Sequence, residues 1–245
     1  MQTKLKQLTE RIYYLPCSSE TDRPNLGYIR GDRYSLMIDA GNSAKHAALF
    51  LDSVNELGLP IPTYVAITHW HWDHTFGMHA VPGIILASKL TNDQLARVMT
   101  WKWTEEAMQA RLLSGEDIEF CDTHIRLEYP ERNDILVKAA DIVFEKQLTL
   151  YLGGITAQLF ALGGPHSDDS VVIYIPEEKV LFLGDSDGGD FYYNEGRYDK
   201  VKLTCFIQFL RDLDFVICID GHDVPASKEE LLGYMEEELA NCNKN

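Results

Sequence analysis

A layered α/β fold is what the sequence predicts, arranged as two β-rich halves with helices outside each. Three observations carry this. Short β-rich apolar runs alternate with longer stretches of helical spacing. Several of those runs end in Gly together with His or Asp, as at Gly184-Asp185 and Asp220-Gly221-His222. The chain has 245 residues and 45% hydrophobic content, enough for a sizeable core in one domain.

Arg11–Leu15, Leu26–Arg30 and Tyr34–Asp39 read as strands, with Gly31-Asp32 as a hairpin signal between the last two. Asn42 or Ser43 caps a helix to about Glu56, with apolar Ala47, Phe50, Leu51 and Val54; Gly58 and Pro60 stop it. Asp39 is read as a turn cap in preference to a group behind the next motif. Tyr64–Ile67 and Gly83–Ala87 read as strands, and Thr75–Ala80 as one or two helical turns. Ser88 to about Ser114 reads as one helical stretch, and Gly115–Asn133 as acidic and irregular. Together, about 88–133 form a mainly helical insertion in a single domain spanning 1–245. Trp101 and Trp103 in it read equally as pocket walls or as packing on the core or on a second subunit, which leaves a homodimer open. His79 reads as a surface or supporting histidine and His124 as an ordinary loop histidine.

In the second half, Ile142–Glu145, Leu148–Leu152, Ile155–Leu162, Val171–Ile175 and Val180–Leu183 read as consecutive strands. Asp199–Leu213 is a helix, Phe215–Ile219 a strand, and Ser227–Leu239 a closing helix capped by Ser227, with Glu229 and Glu230 in its first turn.

The chemistry concentrates in Thr68–His74, which reads Thr-His-Trp-His-Trp-Asp-His. On an extended stretch His69, His71 and Asp73 share one face, while His74 breaks the period and points elsewhere. One ion in a closed tetrahedral site takes about four ligands, so a cluster with two directions suits two adjacent ions. Further His and Asp residues follow at the ends of later apolar runs: His166 after Gly163-Gly164, then Asp185 and His222. Strand-end loops are where folds present functional side chains.

From Ile12 to His222 the sequence resembles the metallo-β-lactamase superfamily, whose signature is HxHxDH followed by a His, a bridging Asp and a last His. All seven positions are filled, by His69, His71, Asp73, His74, His166, Asp185 and His222. The resemblance implies an αββα sandwich with the metal site at one edge. It assigns His69, His71 and His166 to one ion, Asp73, His74 and His222 to the other, and Asp185 to a bridge. Imidazoles and carboxylates together suit Zn²⁺ best, with Fe or Mn as other choices. Two dications would lower the pKa of a shared water and supply a bridging hydroxide as nucleophile, with Asp73 as a proton shuttle.

The implied activity is hydrolysis of an ester, thioester, lactone or phosphoester of a small molecule. Asp185 stands where the true β-lactamases usually carry Cys or Ser, which argues against β-lactam cleavage. Gly188 stands where lactonases of the family carry Tyr, with Tyr192 and Tyr193 as nearby replacements. Two other classes stay open: a non-haem iron oxidoreductase of the same fold, and a non-catalytic metal-binding protein.

Net charge is −16 and the pI about 4.8, which disfavours nucleic acid and anionic membrane as partners. Five cysteines with no CxxC pair argue against a disulfide framework. With no apolar leader and no long apolar run, a cytoplasmic location is the expectation.

Overall fold

Two mixed β-sheets lie face to face between outer helices in this computed structural model, which describes residues 4–242. The first sheet runs in sequence order: β1 (Lys6–Gln7), β2 (Ile12–Leu15), β3 (Leu26–Arg30), β4 (Ser35–Ile38), β5 (Tyr64–Ala66), β6 (Ile84–Ser88) and β7 (Ile142–Phe144). Its first four strands pair antiparallel and β4 to β7 pair parallel. The second sheet is ordered β13 (Ala226–Ser227), β12 (Ile217–Asp220), β11 (Val180–Gly184), β10 (Val171–Ile175), β9 (Thr156–Ala161), β8 (Gln147–Tyr151).

Side-chain alternation sorts the strands into layers. Ile12, Ile29, Leu36 and Ile38 face the second sheet and meet Leu159, Val171, Ile173 and Phe182. The intervening residues Tyr13, Tyr28 and Met37 face the other way. They pack with Phe50 and Val54 of α1 (Ala44–Glu56) and Leu95 of α3 (Lys89–Val98). On the far side, Val172, Leu181 and Leu183 pack under Phe206 and Leu210 of α6 (Lys200–Asp212) and Met235 of α7 (Lys228–Asn241). Strands β10 and β11 are buried at every position because both faces are covered. The result is the expected αββα sandwich.

Helix ends follow the capping signals. Ser43 Oγ accepts from the His46 amide to start α1, and Ser227 forms a full capping box with Glu230 at α7. The insertion is more helical than its sequence suggests. The stretch read as one helix breaks after α3, and Thr104 caps a second, α4 (Glu105–Ser114). The stretch read as irregular contains α5 (Glu119–Glu128), so His124 is a helical residue and its Nδ1 bonds the Phe120 carbonyl. Cys121, Ile125 and Tyr129, spaced by four, put one face of α5 into a cluster with Trp70, Trp72, Phe76, Val98 and Met108.

Topology gathers the functional loops. Strand β10 runs antiparallel to both β9 and β11, and β11 parallel to β12, so β9, β11 and β12 end at one edge of their sheet. The Val171 amide donates to the Thr68 carbonyl at 2.8 Å, joining that edge to the loop after β5.

Candidate metal centre

The loop after β5 is turned by a short helix, α2 (Trp72–Thr75), for which Thr75 Oγ1 donates to the His71 carbonyl at 2.9 Å. This corrects the expectation of one extended run. Because the chain becomes helical at Trp72, Asp73 leaves the side of His69 and His71 and joins His74. Four loops then bring the seven residues together in two groups. His69, His71 and His166 form one; Asp73, His74, Asp185 and His222 form the other, with facing atoms within 4.8 Å in each.

The hydrogen-bond partners fix which ring nitrogens are bare. His166 Nδ1–H donates to the Gly189 carbonyl at 2.9 Å, which leaves Nε2 as a lone pair. Thr68 Oγ1–H donates to the Asp39 carboxylate, so it accepts from His69 Nδ1, and His69 Nε2 is bare as well. Both bare nitrogens lie 3.0 Å from His71 Nδ1, which has at most one proton to share. Three converging nitrogens with too few protons form a cavity that a cation satisfies.

The second group makes the same demand through charge. His74 Nδ1 donates to Asp39 Oδ2 at 2.8 Å, and its Nε2 and Asp185 Oδ1 are buried without a hydrogen bond of acceptable geometry. Burial works against a charge on His74, yet Asp73, Asp185 and Asp39 outweigh it and raise its pKa well above that of free histidine. His222 is raised in the same way, against burial, by Asp185 and Asp73. Conversely, burial and then the neighbouring His74 and His71 hold His69 well below its usual value, while burial and His166 push His71 down to about 3. The carboxylates Asp73 and Asp185 are lowered despite burial, first by His74. The field at this edge asks for positive charge, and a divalent ion bound there would displace the protons.

Asp185 reaches both groups. Its Oδ2 lies 3.9 and 3.7 Å from Nε2 of His69 and His166, and 3.5 Å from Nε2 of His222, while Oδ1 lies 3.3 Å from His74 Nε2. Two glycines keep this junction open, one against Thr68 and one against Asp185. Gly184 sits at φ +54°, and a Cβ there would lie 2.6 Å from Thr68 Oγ1; a Cβ on Gly221 would lie 1.9 Å from Asp185 Oδ1.

Further residues stand behind the cluster. The Asp39 carboxylate holds Thr68 and His74, so of its two sequence readings the turn cap gives way to the supporting group. Asn25 donates to the Asp220 and Asp223 carbonyls at 2.9 and 2.7 Å and so anchors the His222 loop from the opposite sheet. Asp22 Oδ1 lies 3.7 Å from His222 Nδ1; burial, then Asp73, pushes its pKa up to about 7. Trp101 and Trp103 line neither cavity beside the centre. They meet each other edge-on at 5.8 Å between ring centroids, both lie under the Arg111 guanidinium, and Trp103 also meets Phe76 edge-on. The insertion reaches the site through Ile118, Phe120 and Cys121 instead. Tyr192 packs on His71 at 4.9 Å and Tyr193 is exposed. His79 belongs to neither group.

The Metallo-beta-lactamase superfamily model matches residues 21–236. The chain belongs to that superfamily. Among solved structures, a metallo-beta-lactamase from Pontibacter korlensis is 19% identical with a TM-score of 0.69, over 98% of this chain and 100% of that one. The DIM-1 metallo-beta-lactamase is 17% identical with a TM-score of 0.66, over 99% of both chains. The inverting sec-alkylsulfatase Pisa1 from Pseudomonas sp. is 16% identical with a TM-score of 0.70; 97% of this chain aligns to 41% of that longer one. At such identities these likenesses show a shared fold. No curated protein matches the sequence. Members of the superfamily bind divalent metals, and the His/Asp cluster here is a candidate for that site. Among the described residues, no helix is long and apolar enough to cross a membrane.

Proposed function

We propose that this superfamily member is a two-metal hydrolase, zinc-loaded by preference, that cleaves an ester-type bond in a small molecule. The observation that supports the reading is the Asp185 carboxylate lying between two complete donor groups. His69, His71 and His166 would hold one ion, Asp73, His74 and His222 the other, and Asp185 both. When bound, such ions lower the pKa of a water to near neutrality and polarise the oxygen of an acyl or phosphoryl group.

The chain's own residues supply order. Thr68, Asp39 and the Gly189 carbonyl aim the rings of His69, His74 and His166 by holding the other nitrogen of each. Asp73 lines the cavity beside the centre, as Asp22 and Asp185 also do, and faces His74 and His222; it would serve as the proton shuttle. No serine or cysteine is needed as nucleophile.

Elemental analysis of protein purified without added metal, followed by a panel of carboxylic, thio-, lactone and phosphate esters, tests this. The expected result is two zinc equivalents and turnover of at least one ester class, abolished by chelator. A single equivalent, or iron with oxygen consumption in place of hydrolysis, overturns it.

A further inference from the structure

Two cavities open onto the metal centre and share His166, Asp185, His222 and Phe191. The smaller, of about 440 Å³, runs past His71 and Asp73 to apolar walls: Ile118, Phe120 and Cys121 from the insertion, with Phe191 and Tyr192 from the loop after β11. Phe120 and Phe191 are 54% and 56% exposed. Aromatic rings left this wet beside a reaction centre gain by covering an apolar ligand group. The Tyr192 hydroxyl is engaged elsewhere, donating to Asp117 Oδ1 at 3.2 Å, so its ring serves as wall.

Charge narrows the choice further. Besides Asp73 and Asp185, the two cavities are lined by Asp22, Asp187, Asp220, Asp223 and Glu230. Among the described residues that line them there is no lysine or arginine. Phosphate and sulfate groups are ordinarily held by such bases, most firmly by the arginine fork. Away from the two ions that the site would hold, a fixed anion on the substrate would meet carboxylates, Asp223 and Glu230 foremost, and no cationic side chain, and like-charge juxtaposition is unfavourable.

We propose that the substrate is a carboxylic ester or thioester with an uncharged, apolar acyl group seated between Phe120 and Phe191, and not a phosphate or sulfate ester. This rests on the hydrolase reading above. In the reaction the water oxygen bonds to the acyl carbon and the bond from that carbon to the departing oxygen or sulfur breaks. One water proton passes to the leaving alcohol or thiol and the other to solvent.

Zinc-loaded full chain assayed on the 4-nitrophenyl esters of butyric acid, glutaric acid, phosphate and sulfate tests the proposal. In parallel, binding of the uncleavable butyl 4-nitrophenyl ether is followed by calorimetry. The butyrate ester should exceed the anionic glutarate ester in kcat/KM by about tenfold or more, with phosphate and sulfate esters inert. Pocket contacts are typically worth about 10–200-fold. Phe120→Ala and Phe191→Ala should each cost about tenfold on butyrate, mainly in KM, and weaken the ether with zinc content unchanged. Equal or faster turnover of glutarate, phosphate or sulfate esters overturns the proposal, as does ether binding indifferent to both substitutions; the hydrolase reading survives either. If no ester is cleaved but the ether binds and Phe120→Ala weakens it, the hydrolase reading falls and the apolar seat stands. If the ether does not bind and no ester is cleaved, both fall.

Discussion

The Asp39 carboxylate accepts the Nδ1–H of His74 at 2.8 Å, and the same carboxylate accepts both the amide and the hydroxyl of Thr68. Asp39 occupies a left-handed backbone position, φ +58°, at the end of β4. That conformation carries a cost for any residue but glycine, and it aims the carboxylate under the ligand loop. One residue thus fixes the tautomer of His74 directly and that of His69 through Thr68.

Asp39→Asn keeps the shape and removes the charge. Partners of ligand histidines are typically worth about 10–100-fold in metal affinity. The variant should therefore bind zinc at least about tenfold more weakly in competition with a chromophoric chelator. Its far-UV dichroism should be unchanged. Wild-type affinity in that variant would return Asp39 to a turn-capping role.

Asp185→Asn tests the bridge. Its two oxygens face both donor groups, so loss of its charge should weaken both zinc equivalents together and bring ester turnover close to background. Loss of one equivalent with the other untouched would show that Asp185 serves a single ion.

The seven-residue cluster was legible because HxHxDH compresses four candidate donors into six residues and each remaining one ends an apolar run. Its supports were less so, since a strand-end Asp such as Asp39 suits a turn cap as well as a supporting group. Asp39 meets His74 across 35 positions and Asn25 meets Asp220 across 195, and no local pattern marks either pairing. Alternation puts Asp73 beside His69 and His71 because it assumes an extended chain, whereas helix α2 starts at Trp72 and carries Asp73 to His74 and His222, the grouping the resemblance implies. In the insertion, the acidic residues hid the Cys121–Ile125–Tyr129 stripe of α5. The local signal for α4 is Thr104 followed by Glu105 and Glu106, a cap residue with acidic groups in the first turn. Aromatic residues drew attention to Trp101 and Trp103, but aromatic content alone does not tell a pocket wall from a packing cluster.

Trp103→Ala separates these roles. The ring packs with Phe76 and Trp101 and beneath Arg111, away from both cavities. Truncation of such a ring costs on the order of 3 kcal/mol. Thermal unfolding should move down accordingly, while the ratio of kcat/KM values between two esters stays at its wild-type value. A changed ratio at unchanged stability would show that the tryptophan cluster contacts substrate.

Metal removal should lower stability as well as activity. An ion that binds the folded state but not the unfolded chain stabilises by about 2.7 kcal/mol when present at 100 times its Kd. Without ions, His74 and His222 carry the protons that offset Asp73 and Asp185. Scanning calorimetry with and without chelator should show a lower Tm without metal, restored by zinc, and an unchanged Tm would argue against a folded-state metal site.

Gly221 carries the sharpest steric prediction. It precedes His222, its amide donates to the Gly184 carbonyl at 2.7 Å, and an added Cβ would lie 1.9 Å from Asp185 Oδ1 and 3.1 Å from His74 Cε1. No rotamer change of a long side chain relieves this, because the alanine methyl has none and Asp185 is held between two donor groups. Gly221→Ala should therefore push Asp185 aside and cost at least about 100-fold in turnover, the scale on which an ångström of misplacement acts. Gly233 of α7 provides the control, since a Cβ there meets nothing within 4 Å. Gly233→Ala should leave zinc content and turnover alone and raise stability by about 0.5–1 kcal/mol, the usual gain of alanine over glycine within a helix. Wild-type turnover in Gly221→Ala would mean that Asp185 is free to move, and its bridging position would have to be abandoned.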